Sequence, residues 1–245
     1  VPAREIRSGY VKELDKYVGK KLRLKVIEVK TERRKEIIAS QRVIIEEERA
    51  AKEAAKAAKE AEFFASINVD DVVETANHFK CVDYIIDNAN KPLSEALIKE
   101  IHYLLKMGTS DSRKDWFNVG KYKKLPNEVG GEYTTSPEKV KEEMKKLISI
   151  YNGIEKKSME DILDFHKRFE SIHPFQDGNG RVGRLIMFKE CLKHGIVPFI
   201  IEDNLKMYYH RGLKEWNNEK GFLTDTCLTA QDKYKAYLDY FRIAY

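Results

Sequence analysis

Residues 46–62, EEERAAKEAAKAAKEAE, contain only Ala, Glu, Lys and Arg. These are strong helix formers, and Glu48 with Lys52 makes a favourable i,i+4 pair. With nothing apolar beyond alanine, such a helix has no face to bury in a core. It reads as a semi-rigid, solvated linker rather than a coiled coil. A stretch of this kind constrains the whole 245-residue chain. It divides the chain into a segment at 1–45, a linker at 46–63 and a domain at 64–245, within the usual allowance of roughly 150 residues per domain.

The segment before the linker has β character. Leu22, Leu24 and Val26 alternate with Arg23 and Lys25, with a shift at Ile27, the period of a strand. The charged run KTERRK interrupts it, and a second strand is expected from Ile37 to Ile45. A short helix is expected around Val11 to Val18.

After the linker the period changes. Val72, Thr75, Ala76, Phe79, Val82, Ile85 and Ile86 recur at helical spacing, as do Leu93, Leu97, Ile98, Ile101, Leu104 and Leu105. The Gly- and Asn-rich stretch 118–135 predicts a hairpin or extended loop. Ser136-Pro137 offers an N-cap with proline at the first helical position. That helix has Val140, Met144, Leu147, Ile148 and Tyr151 on its apolar face. Ser158 with Asp161 forms a capping-box pattern ahead of Ile162, Phe165, Phe169 and Ile172. Further helices are expected over Arg181–Lys193, Lys206–Asn217 and Gln231–Tyr245. The fold class is therefore mainly α, with a small β-hairpin.

Composition excludes several classes. No run of 18 apolar residues exists, so no membrane span is expected. The opening VPAREIRSGY has no apolar core of a secretory signal. Cys81, Cys191 and Cys227 are too few and too scattered for a disulfide framework or a four-cysteine zinc site. Reduced thiols in a cytoplasmic protein are the expectation. The net charge of +5 permits contact with a polyanion but does not require one.

The segment that carries chemistry is His173-Pro174-Phe175-Gln176-Asp177-Gly178-Asn179-Gly180-Arg181-Val182-Gly183-Arg184. Gly178, Asn179 and Gly180 tolerate left-handed backbone, so consecutive N–H groups can turn inward as an anion nest. A helix N-terminus directly behind them adds positive charge. Arg181 and Arg184 fall on one helical face, and two guanidinium forks beside a nest suit a polyphosphate. Asp177 supplies a hard oxygen suited to magnesium. His173 can accept a proton near neutral pH. Singly these residues read as a helix stop, two turns and a solvated face; together at fixed spacing they read as one site.

The string resembles the Fic-domain signature, H-x-F-x-D/E-G-N-G-R-x-x-R, at every fixed position, and the resemblance covers roughly residues 64–245. The Asn77-His78 and Ile101-His102 helices, the hairpin ending in Val129-Gly130-Gly131, and the stretch from Tyr208-Tyr209 through Leu213 to Asn217 are also similar to that family. A related phosphotransferase branch has lysine where Gly180 stands. The resemblance implies a helical bundle with a hairpin flap, and a protein adenylyltransferase using ATP and magnesium. His173 would be the general base for a Ser, Thr or Tyr hydroxyl of a target protein. Asp177 would hold the metal. Gly178, Asn179 and Gly180 would cradle phosphates, and Arg181 and Arg184 would hold the β and γ groups. Phe175 would anchor the loop in the core. Val129, Gly130, Gly131 and Glu132 would cover the nucleotide and pair with the target, with Tyr209 and Asn217 on the adenine side.

Residues 1–50 resemble part of an OB-type RNA-binding repeat of the large multi-repeat ribosomal small-subunit protein. An OB barrel needs five strands and this stretch offers about two, so RNA is not the expected partner. The family's inhibitory pattern, S/T-x-x-x-E/A-G/N, is not met at Ser66, which is followed by Asp70 and Asp71, nor near Thr224 or Thr226. The resemblance therefore implies an enzyme unrestrained by its own chain, with an antitoxin-like partner as the source of any control. The alternatives from sequence are an RNA-binding fusion with an inactive Fic domain, or transfer of another nucleotide such as UMP.

Overall fold

The computed structural model describes Lys16 and residues 19–30, 36–66 and 68–245. It divides into two compact units, residues 1–67 and 68–245. The helix expected around Val11 to Val18 lies outside the described residues except for Lys16.

In the first unit, β1 (Lys25–Lys30) pairs antiparallel with β2 (Glu36–Ser40), and the register slips between Val26 and Glu28. The extra residue is Ile27, where the alternation shifts in the sequence. The second strand does not run on to Ile45 as expected. It stops at Ser40, and α1 (Gln41–Ser66) begins there. The Ser40 hydroxyl accepts the Val43 N–H at 3.2 Å, an N-cap bond that satisfies one of the free donors of the first turn. That local bond converts an apolar run that reads as strand into the start of the helix.

The second unit is helical apart from one hairpin. It comprises α2 (Val69–Asp87), α3 (Glu95–Lys106), the hairpin β3 (Glu128–Val129) and β4 (Glu132–Tyr133), α4 (Pro137–Gly153), α5 (Met159–Ile172), α6 (Asn179–Lys193), α7 (Lys206–Glu215) and α8 (Gly221–Tyr240). The hairpin closes through Gly130 and Gly131, both at positive φ, as a tight two-residue turn requires. The Ser158–Asp161 capping box forms in full.

The core sits between α5 and α6. Phe165, Phe169 and Ile172 face Val182, Leu185 and Ile186, with Ile98, Ile101 and Leu105 of α3 and Met144 of α4 closing the sides. Burial raises the thiol pKa of Cys81 to about 11 and of Cys191 to about 12. All three cysteines are free and buried.

Two faces differ from expectation. In α2 the buried residues are Glu74, Asn77, Cys81 and Ile85, whereas Val72, Phe79 and Ile86 are exposed. The α8 helix starts at Gly221, ten residues before the expected Gln231. Its buried stripe, Leu223, Thr226, Cys227, Ala230 and Gln231, is helical in spacing but mixed in polarity. Close approach of α7 decides it: a Cβ on Gly212 would lie 2.6 Å from the Leu223 Cα.

Candidate active site

The α5 helix ends on His173, whose backbone is left-handed (φ 52, ψ 61) while its N–H caps the Phe169 carbonyl at 2.9 Å. Left-handed backbone at a non-glycine residue costs on the order of 1 kcal/mol or more and persists where the surroundings enforce it. Here it turns the ring so that Nδ1 lies 3.3 Å from the Glu170 carbonyl oxygen. A carbonyl can only accept, so Nδ1 carries the proton and Nε2 keeps its lone pair. Burial holds the ring's pKa below its ordinary 6.5, so the imidazole is neutral at pH 7.

The loop behind it is pinned by its own side chains. Phe175 is fully buried and stacks on His102 with centroids 3.9 Å apart. His102 accepts the Gly120 N–H on Nδ1 at 3.0 Å, and its Nε2 lies 3.2 Å from the Asp177 carbonyl. Burial pulls its pKa down to about 4, so the ring stays neutral and donates from Nε2. The Asn179 amide closes the turn onto Phe175, with Oδ1 accepting the Phe175 N–H and Nδ2 donating to the Phe175 carbonyl, both at 2.8 Å. Its side chain is therefore committed to the loop, and Asn179 can face an anion only through its backbone. Gly178 caps α6 at φ 82 with Leu105 close behind.

The two arginines have different surroundings. Arg181 pairs with Glu74 and, at 3.3 Å, with Asp177 Oδ2. Arg184 has no carboxylate within 4.0 Å among the described residues. Its guanidinium lies over Gly180, where a Cβ would sit 3.2 Å from Nη1, and 5.9 Å from the Tyr209 ring centroid. Tyr209 is 2% exposed, and its hydroxyl lies 2.5 Å from His166 Nε2. The Tyr209 ring, expected on the adenine side, is buried behind Arg184.

Beneath this pair, Gly183 lets two side chains approach the α6 backbone: a Cβ there would lie 2.7 Å from Glu170 Oε1 and 2.8 Å from His166 Nδ1. Burial pushes the Glu170 carboxyl up from 4.5 to about 7, against the opposing pull of Arg184 and Lys167. The folded chain thus holds a proton that the unfolded chain has released. Stability from this group is complete below about pH 4.5 and is lost as pH rises through about 7. Glu170→Gln, which keeps the neutral shape, is expected to flatten the fall in melting temperature across that window, as followed by circular dichroism. An unchanged slope would show that Glu170 is not the group responsible.

The hairpin is tied to the loop from its base. Lys123 Nζ donates to Asn127 Oδ1 and Thr134 Oγ1, each at 2.6 Å. Asn127 Nδ2 donates to the Phe175 carbonyl at 3.0 Å, and the Lys123 N–H donates to the Pro174 carbonyl at 2.9 Å. Burial lowers the Lys123 pKa to about 8. Val129, Gly130, Gly131 and Glu132 are exposed at the tip. Asn217 is exposed on a cleft of about 350 Å³ that also involves Thr135, Lys146, Asp164, Arg168 and Trp216.

Sequence reading missed Glu74, Lys106, Lys123 and Glu170. A faint signal existed for Lys106: Ile98, His102 and Lys106 fall at i, i+4 and i+8 on one helical face, and all three are buried. Polar residues on an apolar stripe are the mark of a buried network.

Fold and site together place the second unit in a known class. Residues 92–191 match the sequence model of the Fic/DOC family, and the chain carries a Fic/DOC domain. It is 30% identical over 157 residues to a probable protein adenylyltransferase of Aquifex aeolicus, covering 59% of this chain and 45% of that protein. To the protein adenylyltransferase Fic of Drosophila mojavensis it is 26% identical over 137 residues, covering 53% of this chain and 27% of that one. The chain thus spans less than half the length of these relatives. The crystal structure of a Fic-domain-containing signaling protein from Bacteroides thetaiotaomicron superposes with a TM-score of 0.56 at 27% identity, covering 72% of this chain and 69% of the other. Among the described residues no helix is long and apolar enough to cross a membrane.

Proposed function

We propose that this chain transfers AMP from ATP to a Ser, Thr or Tyr hydroxyl of a protein, releasing pyrophosphate. The observation that carries the reading is the neutral His173, with Nδ1 committed to the Glu170 carbonyl and Nε2 bare, directly before a glycine-capped helix start flanked by two arginines. The target's oxygen attacks the α-phosphorus, and the bond from that phosphorus to the bridging oxygen of the β-phosphate breaks. The hydroxyl proton passes to His173 Nε2. The backbone N–H groups from Gly178 to Gly180 and the α6 dipole face the phosphates, while Arg181 and Arg184 neutralise the charge that collects on the leaving pyrophosphate. The exposed edges of β3 and β4 offer backbone partners to an extended segment of the target.

Asp177 fits a magnesium ion. Its Oδ2 receives Lys106 and Arg181, no group among the described residues donates to Oδ1, and its side chain is 53% exposed. Magnesium is commonly held by one or two carboxylates with substrate phosphates completing its shell. When bound it would supply charge neutralisation on the phosphates.

The test is incubation of the protein with magnesium and α-labelled ATP, with candidate targets and a parallel reaction using labelled UTP. Label on protein from ATP alone is expected. Equal labelling from UTP, or none from either, would overturn the adenylyl reading. Because the pKa of His173 lies below its ordinary value, kcat/KM is expected to hold its plateau below pH 6.5 before the acid limb falls. An acid limb centred above pH 6.5 would remove His173 as the titrating base.

A further inference from the structure

We infer that Lys106 is a positioning residue for Asp177. Its ammonium fills a three-carboxylate cage, holds Asp177 by Oδ2, and so leaves Oδ1 for a nucleotide-borne metal while keeping a divalent ion out of the cage. This rests on the adenylyl-transfer reading for the role of Asp177.

Lys106 is the last residue of α3 and is 1% exposed. Its Nζ lies 2.6 Å from Glu74 Oε1, 3.0 Å from Asp111 Oδ2 and 2.7 Å from Asp177 Oδ2. An ammonium has three hydrogens, and each has one acceptor. The acceptors come from α2, from the turn after α3 and from the loop that precedes α6. Their ligand oxygens lie within 4.8 Å of one another, a spacing in which a cation could sit where the ammonium now does. Arg181 adds a second positive charge through Glu74 and Asp177.

The cage is asymmetric in a way that a purely structural ion pair would not require. Glu74 is buried and Asp111 largely so, whereas the Asp177 side chain is half exposed. Both cations that reach Asp177 do so through Oδ2. Three carboxylates meet three cations, Lys106, Arg181 and the partly exposed Lys114, whose Nζ lies 2.7 Å from Asp111 Oδ1, so the cage is balanced and has little to draw a divalent ion away from phosphate. Without the ammonium, one net negative charge and three hard oxygens remain, and affinity for such ions rises with the charge of the ligand set.

The test replaces Lys106 by methionine, which keeps length without charge, and reads manganese binding to nucleotide-free protein by loss of the free-ion paramagnetic resonance signal. Lys106→Met is expected to bind manganese about tenfold or more tighter than wild type. Adding Asp111→Asn to it is expected to reverse most of that gain. Manganese binding by Lys106→Met equal to wild type would overturn the proposal. If Lys106→Met does not fold, Asp111→Asn alone decides it. Freed from Asp111, Lys106 would neutralise Asp177 more fully, raising about twofold to fivefold the manganese needed to saturate the protein–ATP complex. An unchanged requirement would overturn the proposal. Absence of label transfer by the wild type would sink the adenylyl reading, whereas the nucleotide-free manganese result tests the cage by itself.

Discussion

Replacing His173 by alanine is expected to lower label transfer from ATP about 10²–10⁴-fold, the usual contribution of a positioned base, with ATP affinity near the wild-type value. The separation follows from geometry. On the proposed reading the phosphates would be received by α6 and its arginines, and His173 would contribute only Nε2 to the reacting hydroxyl. Alanine at a left-handed position carries a modest strain, so His173→Asn is the companion variant. Asparagine adopts that conformation readily and has no basic nitrogen. Both variants are expected to show the same loss, measured by gel labelling alongside calorimetric titration with ATP. Transfer at the wild-type rate by either would remove His173 from the reaction.

The second large effect is expected at Arg184. Among the described residues no carboxylate comes within 4.0 Å of its guanidinium, which is held over Gly180 and against buried Tyr209. Arg181, by contrast, is already shared between Glu74 and Asp177. Arg184 is therefore the cation freer to take the terminal phosphates. A hydrogen bond to a charged group contributes about 1.5–3 kcal/mol, so Arg184→Ala is expected to weaken ATP about 10- to 100-fold and AMP hardly at all. Equal weakening of both nucleotides would contradict a β/γ role. The same geometry bears on restraint: the acidic partner in the described fold sits on Arg181, the other arginine of the motif.

Much of the domain is readable from residue order because its signals are local. The capping box at Ser158 and Asp161, proline at the start of α4, and the glycine pair of the hairpin each act within four residues, and the structure contains all three. The boundaries that moved did so where one nearby bond or one distant contact overrode a pattern. The Ser40 cap ended β2 early, and the packing of Gly212 on Leu223 accompanies an α8 that begins at Gly221.

Within the site, residue order alone specifies which types stand in the loop: a histidine, an acid, three small residues and two arginines at helical spacing. It could not determine which way their side chains face. Asn179 turns inward to Phe175, Tyr209 lies behind Arg184, and Asp177 presents one oxygen outward because Lys106 and Arg181 hold the other. The partners that settle those orientations are 71 residues away for Lys106 with Asp177 and 107 for Glu74 with Arg181. Contacts of that separation leave no periodicity in the chain. They exist only once α2, α3 and α6 pack together, so tertiary structure alone decided the electrostatics of the site.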